Sequence, residues 1–485
     1  MSNLSELLPT GGGQNAVDFV ASGTLSSGQT VVLNSDGTVS AVDSTGEFGT
    51  PVNYDIGGRY FFATAWDLEQ NKILVGYRDQ YTSNYPLFVV GTPSGSTISF
   101  GTPVVFTSNF ATGIEVVWHP TYSCFVLLSL NYGTLRFANA TISGTTYSLS
   151  STLSTLTSVA EGMYKAFVYY PPQDSIVFAF SGPATTYYGT VMELTMSSAS
   201  TTGTFSTPHV FYSGNCNQMD MVYYPPTNGL FLATRANNSQ GISYPLTVSS
   251  GSFSFGSFSA FGTDPAYINL TYDAAQQRIV GVYADTNFSY QGRVIAGYIN
   301  SGNGSAVLGT PVTFDTNAVY TSGIAYSSLA QKTYIFTVEG GAASNPLRAV
   351  PLSISNTTIT LDTAIYEDTI DAVANTSSYQ TAEYNENLGT IFVATQSNDP
   401  FTYMNYGMMF TTTNYTDFIG ITAGAISDTA TGAVNVYGGI NEAQTGLTIG
   451  ADYYVQADGS LSTTASDVKA GRAISATTIN MMDLT

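Results

Sequence analysis

The sequence predicts an all-β fold: a seven-bladed β-propeller closed by an N-terminal strand, plus a small β domain built from both chain termini. Three observations predict it. The phrase "VYYPPQDSIVFAF" (Val168–Phe180) returns almost unchanged as "VYYPPTNGLFLAT" (Val222–Thr234). Looser copies of it, and of a second phrase, recur along the chain. The two chain ends share a motif of their own.

Composition sets the class. Hydrophobic residues make up 43% of the 485, enough to bury a large core, while charged residues make up only 9%, against roughly 25% in an average soluble protein. The 34 Tyr and 27 Phe favour strands. Together they imply β structure with an uncharged polar surface and argue against disorder. Acidic residues outnumber basic ones 33 to 12, a net charge of -21. Nucleic acid and anionic membrane are thereby excluded as expected partners, because both need clustered cations. The start, "MSNLSELLPTGGGQ", has neither the basic residues nor the apolar run of a secretory leader. No apolar window reaches the ~18 residues of a membrane helix. Cys124 and Cys216 fall in different repeats and are expected to be free thiols.

The repeat is defined by seven aromatic anchors: Trp66, Trp118, Tyr170, Tyr224, Tyr272, Tyr326 and Tyr384, spaced by 48 to 58 residues. Each precedes a short polar turn and then an apolar run, such as Ile73-Leu74-Val75 or Ile391-Phe392-Val393. A second phrase falls between the anchors. It reads "FGTPV" at Phe48–Val52 and Phe100–Val104, "LGTPV" at Leu308–Val312 and "FSTPHV" at Phe205–Val210, with looser versions from Leu149, Phe255 and Leu361. A period near 50 residues in a strand-rich chain means a propeller or a solenoid. Each unit reads as four strands, as in "GIEVVW", "CFVLLSL", "TLRFANATI" and "TYSLSS", with Pro and Gly/Ser turns between them. Four antiparallel strands per unit select the propeller. The "FGTP" strand is fourth in its unit, yet its first copy precedes the first anchor. The last unit, from Tyr384, stops after three strands. The strand near Phe48 is therefore expected to complete it, removing two open sheet edges.

The flanks are expected to form the second domain. "TLSSGQTVVLNSDGTVS" (Thr24–Ser40) aligns with "GLTIGADYYVQADGSLS" (Gly446–Ser462), each with a Gly eight residues before an Asp-Gly hairpin signal. "FVASGTLS" (Phe19–Ser26), "ITAGAIS" (Ile421–Ser427) and "KAGRAIS" (Lys469–Ser475) are further copies of one motif. The predicted boundaries are an arm over 1–15, a small β domain over 16–45 and 412–485, and the propeller over 46–411.

The opening "SNLSELLPTGGGQNAVDFVASGTLSSGQTVVLNSDGTVSAV" (Ser2–Val42) and the ending "GGINEAQTGLTIGADYYVQADGSLSTTASDVKAGRAIS" (Gly438–Ser475) resemble the terminal modules of virion fibre and appendage proteins of tailed bacteriophages, especially marine ones, a resemblance covering about 115 residues at the two ends. The resemblance does not extend to the repeats. It implies a virion structural protein, docked to capsid or tail proteins, homo-oligomeric, and assembled in the host cytoplasm.

No chemistry-bearing motif stands out. His119 sits in a turn and His209 in a strand, in different repeats, so neither suits a Ser-His-Asp arrangement. No Cys/His spacing suggests zinc, and no cofactor is expected. The loops before the anchors carry Glu161, Asp220, Asp264, Asp315, Glu367, Asp368 and Asp371, placed to line the ring's mouth. Paired carboxylates there would suit a glycosidase. The Ser-x-Asp-x-Gly-x-Thr-Trp boxes and arginine cluster of sialidases are missing. Calcium is the metal such acids suit, although "DTNFSYQG" and "QSNDPF" are not calcium loops. The expected function is therefore non-enzymatic. Long loops on one rim carry Tyr81, Tyr85, Tyr187, Tyr188, Tyr244, Phe288, Tyr290, Asp399, Phe401 and Tyr403 among Asn and Ser, the composition of adaptable recognition loops. These are the ligand-binding candidates, for host-surface glycan, with a propeller glycosidase or lectin acting on bacterial polysaccharide as the alternative. The anchors are read as packing residues.

Overall fold

The computed structural model describes residues 15–481 apart from 35–36, 43–45, 57–61, 80–82, 132, 152–153, 158–164, 183–186, 201–202, 321, 339–345, 368–369, 371–379, 397–403, 413–414, 457 and 467. Regular structure among them is β-strand and short 3-10 turns. The chain forms two units, 48–410 and 1–47 with 411–485.

In the larger unit each anchor lies on the first strand of an antiparallel meander. These first strands are Ala63–Asp67, Gly113–His119, Lys165–Tyr170, His209–Tyr224, Pro265–Asp273, Ser322–Ser327 and Thr381–Asn385. The apolar runs form the second strands, and Phe125, Val177, Ile335 and Phe392 are fully buried or nearly so. The prolines after the anchors begin the turn between the two strands. Pro120–Tyr122, Pro171–Gln173 and Pro225–Thr227 are 3-10 turns, closed by Ser123, Asp174 and Asn228 in the left-handed region. Proline suits the first position of such a turn because its φ is preset and its missing N–H has no partner to lose.

The expected fourth strand is two short strands on the same partner. Thr97–Phe100 and Val104–Val105 both pair with Tyr85–Ser94, and the later meanders repeat this. Gly-Thr-Pro is the break between the halves, since proline cannot donate to the ladder. The residue after the Phe or Leu keeps one ladder bond to the third strand. Gly49, Gly101, Ser150, Ser206, Gly256, Gly309 and Asp362 all make it, with N–H to O distances of 2.7 to 2.9 Å.

A second departure concerns the sheets. Strand His209–Tyr224 is 16 residues long and serves both the third and the fourth meander, which merge into one nine-stranded sheet. A bulge between Asn217 and Asp220 marks the passage from one to the other.

Buried clusters lie between successive meanders. Leu74 and Phe88 pack with Ile114 and Leu127, Val126 and Phe137 with Ile176 and Phe178, and Tyr334 and Phe336 with Ile391 and Phe410. Another cluster joins Trp66, Ile73 and Tyr77 of the first meander to Phe392 and Met409 of the last. The anchors span the same seams. Trp66 Nε1 donates to the Glu383 carbonyl at 3.1 Å, and the Tyr170 hydroxyl donates to the Asn228 carbonyl at 2.7 Å. In the last meander, Met404–Thr411 pairs outward with Glu47–Phe48 and Val52–Ile56.

In the smaller unit, Ala16–Val20 pairs with Thr431–Val436, and Thr30–Leu33 with Phe418–Thr422, so one five-stranded sheet uses both chain ends. Leu25 and Ile426, from two copies of the shared motif, exchange backbone hydrogen bonds of 2.8 and 2.9 Å. The aligned hairpins close alike: Gly37 N–H donates to the Asn34 carbonyl, and Gly459 N–H to the Gln456 carbonyl. Both glycines have φ near +80°, at +85° and +79°, which a side chain would strain. A second five-stranded sheet comes from the C-terminal segment alone.

Candidate functional site

The first strands of the meanders line a central cavity of about 600 Å³. Three carboxyls sit on its wall: Glu115, Asp220 and Glu383. None of the described lining residues is Lys, Arg or His. The Asp220 carboxylate accepts 2.7 Å hydrogen bonds from the N–H groups of Met221 and Leu270. The second bond crosses to the next meander, so Asp220 also clips two inner strands together. Burial pushes its carboxyl up to about 7 against those two bonds, with the charge of Glu115 adding to the rise. Glu383 is pushed up to about 8 by burial and then by Asp220. Desolvation and like charge both disfavour the ionised form.

The sign of the linkage follows. Both folded-state values lie above the ordinary carboxylate range, so the native state holds protons that the unfolded chain releases. These groups therefore cost stability increasingly as pH rises from about 4 to about 8. The expected result for Glu383→Gln is a gain in melting temperature of a few degrees, about 2–4 °C, above pH 8 and no gain at about pH 4. Thermal melts across that range check it. An equal shift at both ends would overturn the linkage.

The other mouth acids lie elsewhere or outside the described residues. Asp264 pairs with Arg235 and accepts from Thr286. Asp315 is buried and accepts a 2.6 Å bond from Arg348. Glu367 is buried and accepts from Ile370 N–H at 3.0 Å. These three close the protein's own polar contacts, and of the seven acids the described structure puts only Asp220 on the cavity wall. Glu161, Asp368 and Asp371 fall outside the described residues. Glu115 and Glu383 were missed by the sequence reading. Their signal was a carboxylate inside a first strand, three residues before the anchor Trp118 and directly before the anchor Tyr384.

The rim aromatics separate into groups. Tyr81, Asp399, Phe401 and Tyr403 lie outside the described residues. Tyr187 is 40% and Phe288 53% exposed. Tyr188 is half-buried and paired with Asn215. Tyr290 stacks at 5.0 Å on Tyr320. Tyr85 packs on the cluster around Trp66. Tyr244 is a correction: it is core, 8% exposed, with its ring 5.5 Å from Phe211 and 6.0 Å from Phe258. The sequence reading placed it in a loop, but it lies inside strand Gln240–Ser249, in the stretch Gly241–Leu246 that is buried on both faces.

His119 is buried against Tyr122 and Tyr169, with Nε2 3.9 Å from Asp174, and burial lowers its pKa. His209 packs on Phe253 at 5.1 Å. Cys124 and Cys216 are free and buried, and burial pushes both thiols up to about 12. No group of three or more His, Cys, Asp or Glu among the described residues is arranged to hold a metal ion.

No protein-family model and no curated protein matches this chain. Solved structures similar to it include AofleA from Arthrobotrys oligospora, at 10% identity and a TM-score of 0.42, covering 69% of this chain and 94% of that one. A triple mutant of AofleA gives the same score and identity over 83% of this chain and 92% of that one. The Dos1 propeller gives 9% identity and a TM-score of 0.42, over 75% and 94% of the two chains.

Proposed function

We propose that the meanders are the blades of a closed seven-bladed β-propeller, and that the protein is a non-enzymatic structural component of a tailed-phage particle. The smaller unit docks the chain to capsid or tail proteins. The propeller is displayed and binds host-surface glycan through its loop rim. The closed ring is supported by the cluster joining Trp66 and Ile73 to Phe392 and Met409, and by the Glu47–Phe48 and Val52–Ile56 strands on Met404–Thr411. With the merged sheet counted as two blades, each of seven anchors then heads one blade.

The observation that carries the virion reading is the smaller unit. Its first sheet uses both chain ends and contains the N-terminal phrase that resembles a phage appendage module, and its second sheet is built from the C-terminal phrase, in a unit distinct from the meanders. In this reading the chain is homo-oligomeric and joins the particle in the host cytoplasm. Mass spectrometry of purified particles tests it: the chain is expected in constant ratio to the major capsid protein. Particles lacking the chain would overturn the proposal.

A glycosidase reading has one observation in its favour, the cavity carboxyls Asp220 and Glu383, pushed up to about 7 and about 8. A carboxyl protonated near neutrality can serve as a general acid. The two backbone amides on Asp220 support a structural role instead. Release of reducing sugar from host polysaccharide, abolished in Glu383→Gln, would favour hydrolysis over display.

A further inference from the structure

Between the fourth and fifth meanders lies a second cavity of about 410 Å³. Its walls include Phe261, Tyr283 and Pro311, with Asp285, Arg293 and Gln240 as polar groups. Asp285 and Arg293 bracket the "DTNFSYQG" loop and its 3-10 turn Thr286–Phe288. Both are held from behind. Arg293 Nη1 donates to the Thr313 hydroxyl and Nη2 to Gln291 Oε1 at 3.3 Å. Its guanidinium lies 5.2 Å from the Phe288 ring centroid. Asp285 Oδ1 accepts from Asn287 N–H at 3.3 Å.

The facing atoms are not matched to each other. Arg293 Nε and Asp285 Oδ2 are 3.8 Å apart, beyond hydrogen-bond length. Arg293 Nε is buried and has no hydrogen-bond partner, and Asp285 is only 5% exposed. A buried donor and a carboxylate left incompletely satisfied at a cavity wall require an explanation. A hydroxyl fits the gap, because one group can accept from Nε–H and donate to Oδ2 together. The pair carries no net charge. An anion placed there meets Asp285, and a cation meets Arg293, so neither gains from the site. Phe261, Tyr283 and Pro311 contribute apolar wall, and Gln240, an exposed residue, adds an amide that donates and accepts.

We propose that this cleft binds a neutral saccharide unit, one of whose hydroxyls bridges Arg293 and Asp285 while its ring carbons rest on the Phe261, Tyr283 and Pro311 wall. The proposal deepens the glycan-binding half of the function above and rests on it.

Saturation-transfer NMR and calorimetry on the full chain test it. The probes are methyl glycosides of galactose, glucose and mannose, with glucosamine and N-acetylneuraminic acid as charged controls. At least one neutral glycoside is expected to bind, and Asp285→Asn to weaken that binding about tenfold or more. Gln240→Trp is a second variant, at an exposed position, that plugs the cleft without touching the buried pair. It is expected to abolish binding while leaving the melting temperature unchanged, so a folding defect in Asp285→Asn cannot mask the answer. A glycoside that binds the parent chain and both variants alike overturns the cleft but leaves the glycan-binding reading standing. Failure of every neutral probe overturns both. Tighter binding of either charged control overturns the ligand class.

Discussion

Removing residues 1–56 is expected to leave a chain that aggregates or opens and has no cooperative melt. The segment supplies strand Val52–Ile56, paired with Met404–Gly407 in four register positions, Ile56 to Val52, and the Gly49 N–H bond to the Met409 carbonyl at 2.7 Å. At about 1 kcal/mol net per hydrogen bond, this ladder alone approaches the ~5–15 kcal/mol stability of a typical domain. The side chains add to it. Phe48 stands edge-on to Phe410 at 4.9 Å, and buried Tyr54 lies 4.8 Å from Phe100 and 5.5 Å from Tyr77. Truncating such aromatics costs about 3–5 kcal/mol each. The deletion also takes Ala16–Val20 and Thr30–Leu33 from the smaller unit. Phe48→Ala with Tyr54→Ala therefore isolates the seam. That pair is expected to lower the melting temperature by about 5 °C or more with the smaller unit intact. Size-exclusion chromatography and melts read both. A monomeric deletion variant with the parent's melting temperature would refute the closing role of this segment.

Gly101→Ala is expected to destabilise the larger unit by about 2–3 kcal/mol, an overpacking cost unusual for one methyl group. A Cβ there would fall 1.8 Å from the Thr145 carbonyl oxygen, in the outer hairpin of the next meander. The obstacle is backbone on both sides, so no rotamer relieves it. Gly49 makes the equivalent contact, 1.8 Å from the Ser96 carbonyl, and Gly256 and Gly309 approach Gly304 and Thr357 in the same way. Ser150, Ser206 and Asp362 carry side chains at this position, so the requirement for glycine depends on the facing hairpin. Ser206 occupies this position in the third meander, and the hairpin facing it offers Gly251, whose added Cβ would come 3.2 Å from the Ser206 side chain. Gly49→Ala is expected to match Gly101→Ala, because it joins the last meander to the first. Denaturant melts compare them, and no change at Gly49 alongside a large one at Gly101 would show that the first and last meanders need no close contact.

Much of this was legible because the physics is local. Alternation sets which side chains face inward, and proline after an aromatic starts a turn wherever it occurs. The recurring phrases therefore fall at equivalent places, with "YPP" at the first hairpin and "GTP" at the break in the outer strand. The failures were also local in origin. Tyr244 reads like a loop tyrosine beside Ser243, yet its strand begins at Gln240. The merged sheet was hidden because Ser213-Gly214-Asn215 reads as a turn, yet strand His209–Tyr224 runs through it.

From its order of residues alone, the chain determined an all-β architecture, the position of each anchor and the matching hairpins at its two ends, since propensity and periodicity act between near neighbours. Only the tertiary structure decided that Glu115, Asp220 and Glu383 line one cavity with no cation among its described lining residues, and that Arg293 and Asp285 face each other across a gap of 3.8 Å. Those meetings depend on how strands converge and on where a guanidinium is held, and both are set by packing between meanders rather than by any spacing in the sequence.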